Sequence, residues 1–122
     1  MKLRIRGNSI RLRLRQGEVR RLAAEGLVEE RTDFGGSNVL IYSLVADDVP
    51  AMTATFDGGR VVVRVPRGVA ARWASGDAVG MEGSQPVGAG SLKVLVEKDF
   101  ECLDAPAGEP QDDAFPNPQR CG

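Results

Sequence analysis

MKLRIRGNSIRLRLR, residues 1–15, decides the fold. Lys2, Arg4 and Arg6 alternate with Leu3 and Ile5; beyond Gly7-Asn8-Ser9, Arg11, Arg13 and Arg15 alternate with Ile10, Leu12 and Leu14. Successive side chains on a strand point to opposite faces, so this pattern predicts two strands joined by a tight turn. Each strand has one apolar and one cationic face. The apolar face asks for a core. The cationic face asks for an anionic partner or for neutralisation within the chain.

Outward from this hairpin, Gln16 to Gly26 predicts a short helix, with Val19, Leu22 and Ala23 on one face and Gly26 as the stop. Leu27–Phe34 and Val39–Ala46 read as strands around the turn Gly35-Gly36-Ser37-Asn38. After a break at Asp47 to Pro50, strands are expected at Ala51–Phe56 and Arg60–Val65, around Asp57-Gly58-Gly59. Pro66–Ser75 suits a helix, because proline in the first turn gives up an N–H that has no partner there. Ala78–Glu82 and Ser91–Lys98 read as strands, joined by a Gly/Pro-rich loop from Gly83 to Gly90. Residues 104–122 are polar, acidic and rich in Pro and Gly, and read as a flexible tail.

The order is therefore strand–strand–helix–strand–strand, twice. An ungapped shift of 51 lays Gly7–Glu30 on Gly58–Met81, with identities at Gly7/Gly58, Arg13/Arg64, Gly17/Gly68, Arg21/Arg72, Ala23/Ala74 and Val28/Val79. The apolar register agrees at Ile10/Val61, Leu12/Val63, Leu14/Val65 and Leu22/Trp73. These matches predict one duplicated domain over residues 1–103, with halves at about 1–46 and 51–98. The expected class is α+β, mainly β.

With 122 residues, 42% of them hydrophobic, the chain can bury an ordinary core without a metal or disulfide framework. Aromatic residues are only 5%, which argues against a large aromatic-lined pocket. No apolar run approaches the ~20 residues of a membrane span, and the opening alternation is not a signal segment, so a cytoplasmic protein without membrane contact is expected. A net charge of −1 conceals an asymmetry. Glu18 is the only acid among the first 21 residues, whereas Glu97, Asp99, Glu101, Asp104, Glu109, Asp112 and Asp113 crowd the end. Either an outside anion answers the basic end, or the two ends meet.

Several residues carry a resemblance. Gly7-Asn8-Ser9 with Ile10, Leu12 and Arg13 resembles the front, and Val63-Arg64-Val65-Pro66, the helix to Trp73 and Gly76-Asp77-Ala78-Val79 the back, of the AbrB/MazE-type swapped-hairpin domain. That resemblance implies a barrel-like DNA-binding fold, made here by duplication instead of dimerisation, so a monomer is favoured and a homodimer stays open. Arg15 stands where the pattern has Pro, and Gly58-Gly59-Arg60 replaces Gly-Asn-Ser in the second half. Val62 matches Arg11, which breaks a symmetric DNA footprint. Over nearly its full length the chain is also similar to a family of small uncharacterised bacterial proteins, through MKLRIRGNSIRLRL, LVEKDFECL and DAFPNP. That likeness implies no known activity.

The chemistry on offer points to binding. With no histidine, the commonest general base and metal ligand is missing. No phosphate-cradling Gly-x-x-x-x-Gly-Lys is present, and the spacing of the carboxylates singles out no acid pair. No cofactor or metal is expected. Two cysteines, Cys102 and Cys121, do not complete a four-ligand zinc site; they read as a packed small hydrophobe and a tail thiol, although a dimer or an oxidised loop would use both. Trp73 reads as core. Phe115-Pro116-Asn117-Pro118 reads as extended chain or as a docking tag.

Arginines at alternate strand positions stand about 7 Å apart and offer forked donors to phosphates or base edges. The candidate contacts to double-stranded DNA are Lys2, Arg4, Arg6, Asn8, Arg11 and Arg13. The alternative is a protein–protein interaction or regulatory module whose arginine face is closed by the chain's own Glu97, Asp99 and Glu101, which alternate with the same period; besides DNA, an acidic protein is the other partner open to the chain.

Overall fold

The computed structural model describes residues 1–100 and Phe115. The opening stretch forms β1 (Lys2–Ile5) and β2 (Ser9–Leu14), antiparallel, with Leu3 opposite Leu12 and Arg4 opposite Arg11. Leu12 and Leu14 are fully buried, so the apolar side of the alternation is indeed the core side. In α1 (Gln16–Glu25), Glu18 accepts the Arg15 N–H at 2.9 Å, which puts a carboxylate in the first turn where the helix dipole favours it. Gly26, at φ 75°, ends the helix and donates to the Leu22 carbonyl at 2.8 Å.

The chain continues through β3 (Leu27–Asp33), β4 (Val39–Asp47), β5 (Thr53–Asp57), β6 (Arg60–Pro66), α2 (Arg67–Ser75), β7 (Gly80–Val87) and β8 (Gly90–Lys98). The fold is α+β and mainly strands. Two four-stranded sheets form, in the orders β1-β2-β8-β7 and β3-β4-β6-β5. Each sheet combines one hairpin from each half of the chain. The joins, β2 with β8 and β4 with β6, are both parallel. Exchanging the two halves leaves this pairing pattern unchanged. All four hairpin turns consequently lie at one end of the molecule, and α1 and α2 meet at the other.

Barrel-like closure, expected from the sequence, is not reached among the described residues, which form two separate sheets with two seams. Side-chain and terminal groups hold the seams instead of a backbone ladder. Between β5 and β7, the Gln85 amide accepts the Ala54 N–H at 2.9 Å and donates to the Ala54 carbonyl at 2.8 Å, standing in for a strand neighbour. On the opposite side, the Met1 amino group bonds Glu18 and, at 3.0 Å, Glu30. The Tyr42 hydroxyl donates to the Met1 carbonyl at 2.9 Å. Met1 and Met52, one at each seam, are both buried.

The apolar pairs Leu12/Val63, Leu14/Val65 and Leu22/Trp73 are all core residues, at 0–2% exposure. Two expectations change. The ungapped shift fails after the helices, because residues 76–79 separate α2 from β7 where only Gly26 separates α1 from β3. Val28 opposes Leu44 and Met81 opposes Val96, so Val28 matches Met81; Val79 is instead exposed at 49%. Second, the expected loop from Gly83 to Gly90 is mostly strand, turning only at Gly88-Ala89. Gly83 fits because a Cβ there would stand 2.8 Å from the Met52 Cβ, and Pro86 is tolerated because β7 is an edge strand. The expectations for Glu101, Cys102, Cys121 and the tail 104–122, Phe115 apart, lie outside the described residues.

Candidate anion-binding face

Opposite the buried Leu12, Leu14, Val94 and Val96, the first sheet presents outward side chains in rows set by its register. One row runs Lys2–Arg13–Glu97 and the next Arg4–Arg11–Leu95–Glu82. Parallel pairing with β8 puts Glu97 directly beside Arg13. Its Oε1 lies 2.7 Å from Arg13 Nε and 3.5 Å from Arg11 Nε, so one carboxylate oxygen serves two guanidinium groups. The Glu97 side chain is only 15% exposed, while those of Arg11 and Arg13 remain 35% and 39% exposed. Lys2 Nζ lies 3.3 Å from Asp99 Oδ2.

Arg4 and Arg6 are exposed and have no ion pair among the described residues. Arg4 faces Arg11 across the hairpin, a like-charge pair, and Leu95 holds Glu82 one strand further away. Asn8 does local work at the turn. Its Nδ2 donates to the Ser91 carbonyl at 2.7 Å, and its own carbonyl accepts from Lys93 N at 3.1 Å, tying the tip of the first hairpin to β8.

The matching face of the second sheet is different. Thr53, Thr55 and Val62 occupy the positions of Lys2, Arg4 and Arg11. Arg60 pairs with Glu29 at 3.0 Å, and Glu29 also accepts from the Ser43 hydroxyl at 2.8 Å. The third hairpin's Arg60 and Arg64 both have carboxylate partners, so the larger excess of positive charge belongs to the first hairpin.

Two features were not anticipated from the sequence. Lys98 is buried at 6% exposure: its Nζ donates to the Gly76 carbonyl at 2.8 Å and lies 5.7 Å from the Trp73 ring centre and 5.4 Å from that of Phe115. Its parity with Val94 and Val96 was the available signal. Phe115, expected as extended chain or a docking tag, is half-buried and donates its N–H to the Asp99 carbonyl at 2.8 Å. Burial, and then the charges of Glu30 and Glu18, raise the Tyr42 phenol above its ordinary pKa.

Among the described residues no group of three or more Cys, Asp or Glu side chains gathers to hold a metal ion, and no helix is long and apolar enough to cross a membrane. What the face can do is offer forked N–H donors and positive charge along two strands. None of the curated proteins and none of the solved structures matches the chain. A family model does match residues 1–119, nearly the whole length, and the chain belongs to that family, DUF7009, a family of unknown function.

Proposed function

We propose that the chain is a non-enzymatic binding module that offers the outer face of β1 and β2 to a polyanion, duplex DNA foremost. The carrying observation is the charge surplus of that face. Lys2, Arg4, Arg6, Arg11 and Arg13 are met there by Glu97 and Asp99, and Arg4 and Arg6 stand exposed. In this reading Arg4, Arg6, Arg11 and Arg13 contact phosphates or base edges and Lys2 a phosphate. Asn8 contributes its side-chain oxygen, since its nitrogen holds Ser91. Phosphates would replace the shared Glu97 at Arg11 and Arg13, which keep accessible edges.

A duplicated, swapped-hairpin origin is part of the proposal, as is a bacterial cytoplasmic setting. The origin is supported by the exchange of hairpins between halves and by the matching core positions. One observation favours a second reading: Glu97 bridging Arg11 and Arg13 suits an interaction module whose arginines are already satisfied and whose partner is a protein.

Titration of a random-sequence duplex at low and moderate salt separates the two. The DNA reading expects salt-sensitive binding by the full chain. It also expects tighter binding by Glu97→Gln, and binding weakened by about tenfold in an Arg4→Ala/Arg6→Ala variant. Absence of binding at low salt by both the native chain and Glu97→Gln overturns the DNA reading and leaves the protein partner.

A further inference from the structure

The end of the molecule that carries the hairpin turns is unusually apolar. Of the six large hydrophobic side chains exposed among the described residues, four sit there, one per hairpin: Ile5, Phe34, Phe56 and Val87, at 61%, 69%, 73% and 39% exposure. They form two matched pairs. Ile5 and Phe56 hold the same position in β1 and β5, and Phe34, just past β3, matches Val87 at the end of β7. Between the first and third hairpins lies an open apolar groove of about 350 Å³, lined by Leu3, Ile10, Val61 and Leu92 with Ile5 and Phe56 at its lips. Large apolar groups clustered on one surface mark an interaction site; singly scattered ones would not.

The charges beside the groove say what covers it. Arg6 directly follows β1 and Asp57 ends β5, at matching positions in the two hairpins. Both are exposed and neither has an ion pair among the described residues. The remaining carboxylate at this end, Asp33, already accepts the Gly35 N–H at 2.8 Å. One end therefore bears an unpaired cation and an unpaired anion on opposite sides of an apolar groove. Such a surface is complementary to itself. A twofold axis across the end of the molecule can lay the first hairpin of one copy on the third hairpin of another, and the reverse contact then forms automatically.

We infer that this end is a homodimer interface, in which Ile5 and Phe56 of two copies close the groove and Arg6 of each copy meets Asp57 of the other. The proposal does not depend on the anion-binding reading: Arg6 is the one residue the two share, and Lys2, Arg4, Arg11 and Arg13 stay outside the interface.

Sedimentation equilibrium of the full chain over a wide concentration range tests it. The native chain associates to a dimer. Phe56→Ser weakens that dimer by about a hundredfold, with native circular dichroism retained because the ring is exposed. Arg6→Asp and Asp57→Arg each weaken it by about tenfold, and the doubly exchanged Arg6→Asp/Asp57→Arg chain recovers the native affinity. A chain that stays monomeric at all concentrations overturns the inference. So does a dimer indifferent to Phe56→Ser, or one in which the exchanged pair fails to restore what the single changes removed.

Discussion

Glu97 of β8 lies beside Arg13 of β2 in a parallel pair, 2.7 Å from its Nε, although 84 positions separate them in the chain. The contact joins the most basic hairpin to the strand that completes its sheet, and its single oxygen also reaches Arg11. It is at once a local charge balance and a long-range tie between the halves.

Replacing Glu97 by Gln keeps the shape and removes the charge. Arg11 and Arg13 then repel each other without a mediator, and unfolding free energy falls by about 1 kcal/mol. Added salt screens that repulsion, so the deficit shrinks as ionic strength rises. Urea unfolding at two salt concentrations checks it; a deficit that salt leaves untouched contradicts the account.

At the other sheet edge, Gln85→Leu deprives the Ala54 N–H and carbonyl of their partner at a residue only 6% exposed. The expected cost is about 2 kcal/mol, with faster hydrogen exchange of the Ala54 amide. Unchanged exchange at Ala54 would mean that the side chain does not act as the seam's surrogate strand.

Gly83→Ala probes the same seam by crowding. The new methyl would stand 2.8 Å from the Met52 Cβ, so β5 and β7 must part. A loss of about 1–3 kcal/mol is expected, although alanine suits a strand better than glycine. An equal or higher melting temperature would show that the strands have room to spare.

Tyr42 gives a pH signature that is simple to read, because it is the only tyrosine. Its folded pKa lies above the unfolded value, chiefly through burial and then through Glu30 and Glu18. Below an unfolded phenol pKa of about 10 the associated stability is fully present, and it drains away as pH rises through the folded value. Tyr42→Phe loses the bond to the Met1 carbonyl but also loses this alkaline decline. Tyrosinate absorbance followed during base titration should emerge later than in the unfolded chain; coincident curves would refute it.

Much of this architecture was legible in the chain. The alternation of residues 2–14 gave the first hairpin and its core side, and Gly26 gave the end of α1, because each depends on near neighbours. The matched apolar positions Leu22 and Trp73 were readable as core for the same reason. Residues 83–87 were not legible as strand, since what makes Gly83 and Pro86 acceptable is Met52 on one side and a free edge on the other. The lengthened connection after α2 hid the match of Val28 with Met81.

The candidate face was half legible. Matching parities of Glu97, Asp99 and the arginines allowed an internal pairing but did not say which strand would lie beside β2. Only the topology decided that Arg11 and Arg13 share a carboxylate while Arg4 and Arg6 do not. The apolar end was hidden because Ile5, Phe34, Phe56 and Val87 look like ordinary strand residues one at a time.

The exchange of hairpins between halves has a consequence for the nascent chain. The inner edge of β2 has no strand to pair with until β8 has been made, so the first hairpin waits with open backbone groups and an uncovered apolar side while the elements between β2 and β8 are synthesised. Closing a loop of that length before any reward arrives makes for slow folding. During that wait the arginines alternating along the hairpin give every young chain a charged edge that repels its neighbours on the polysome, and so act as a guard against premature strand pairing.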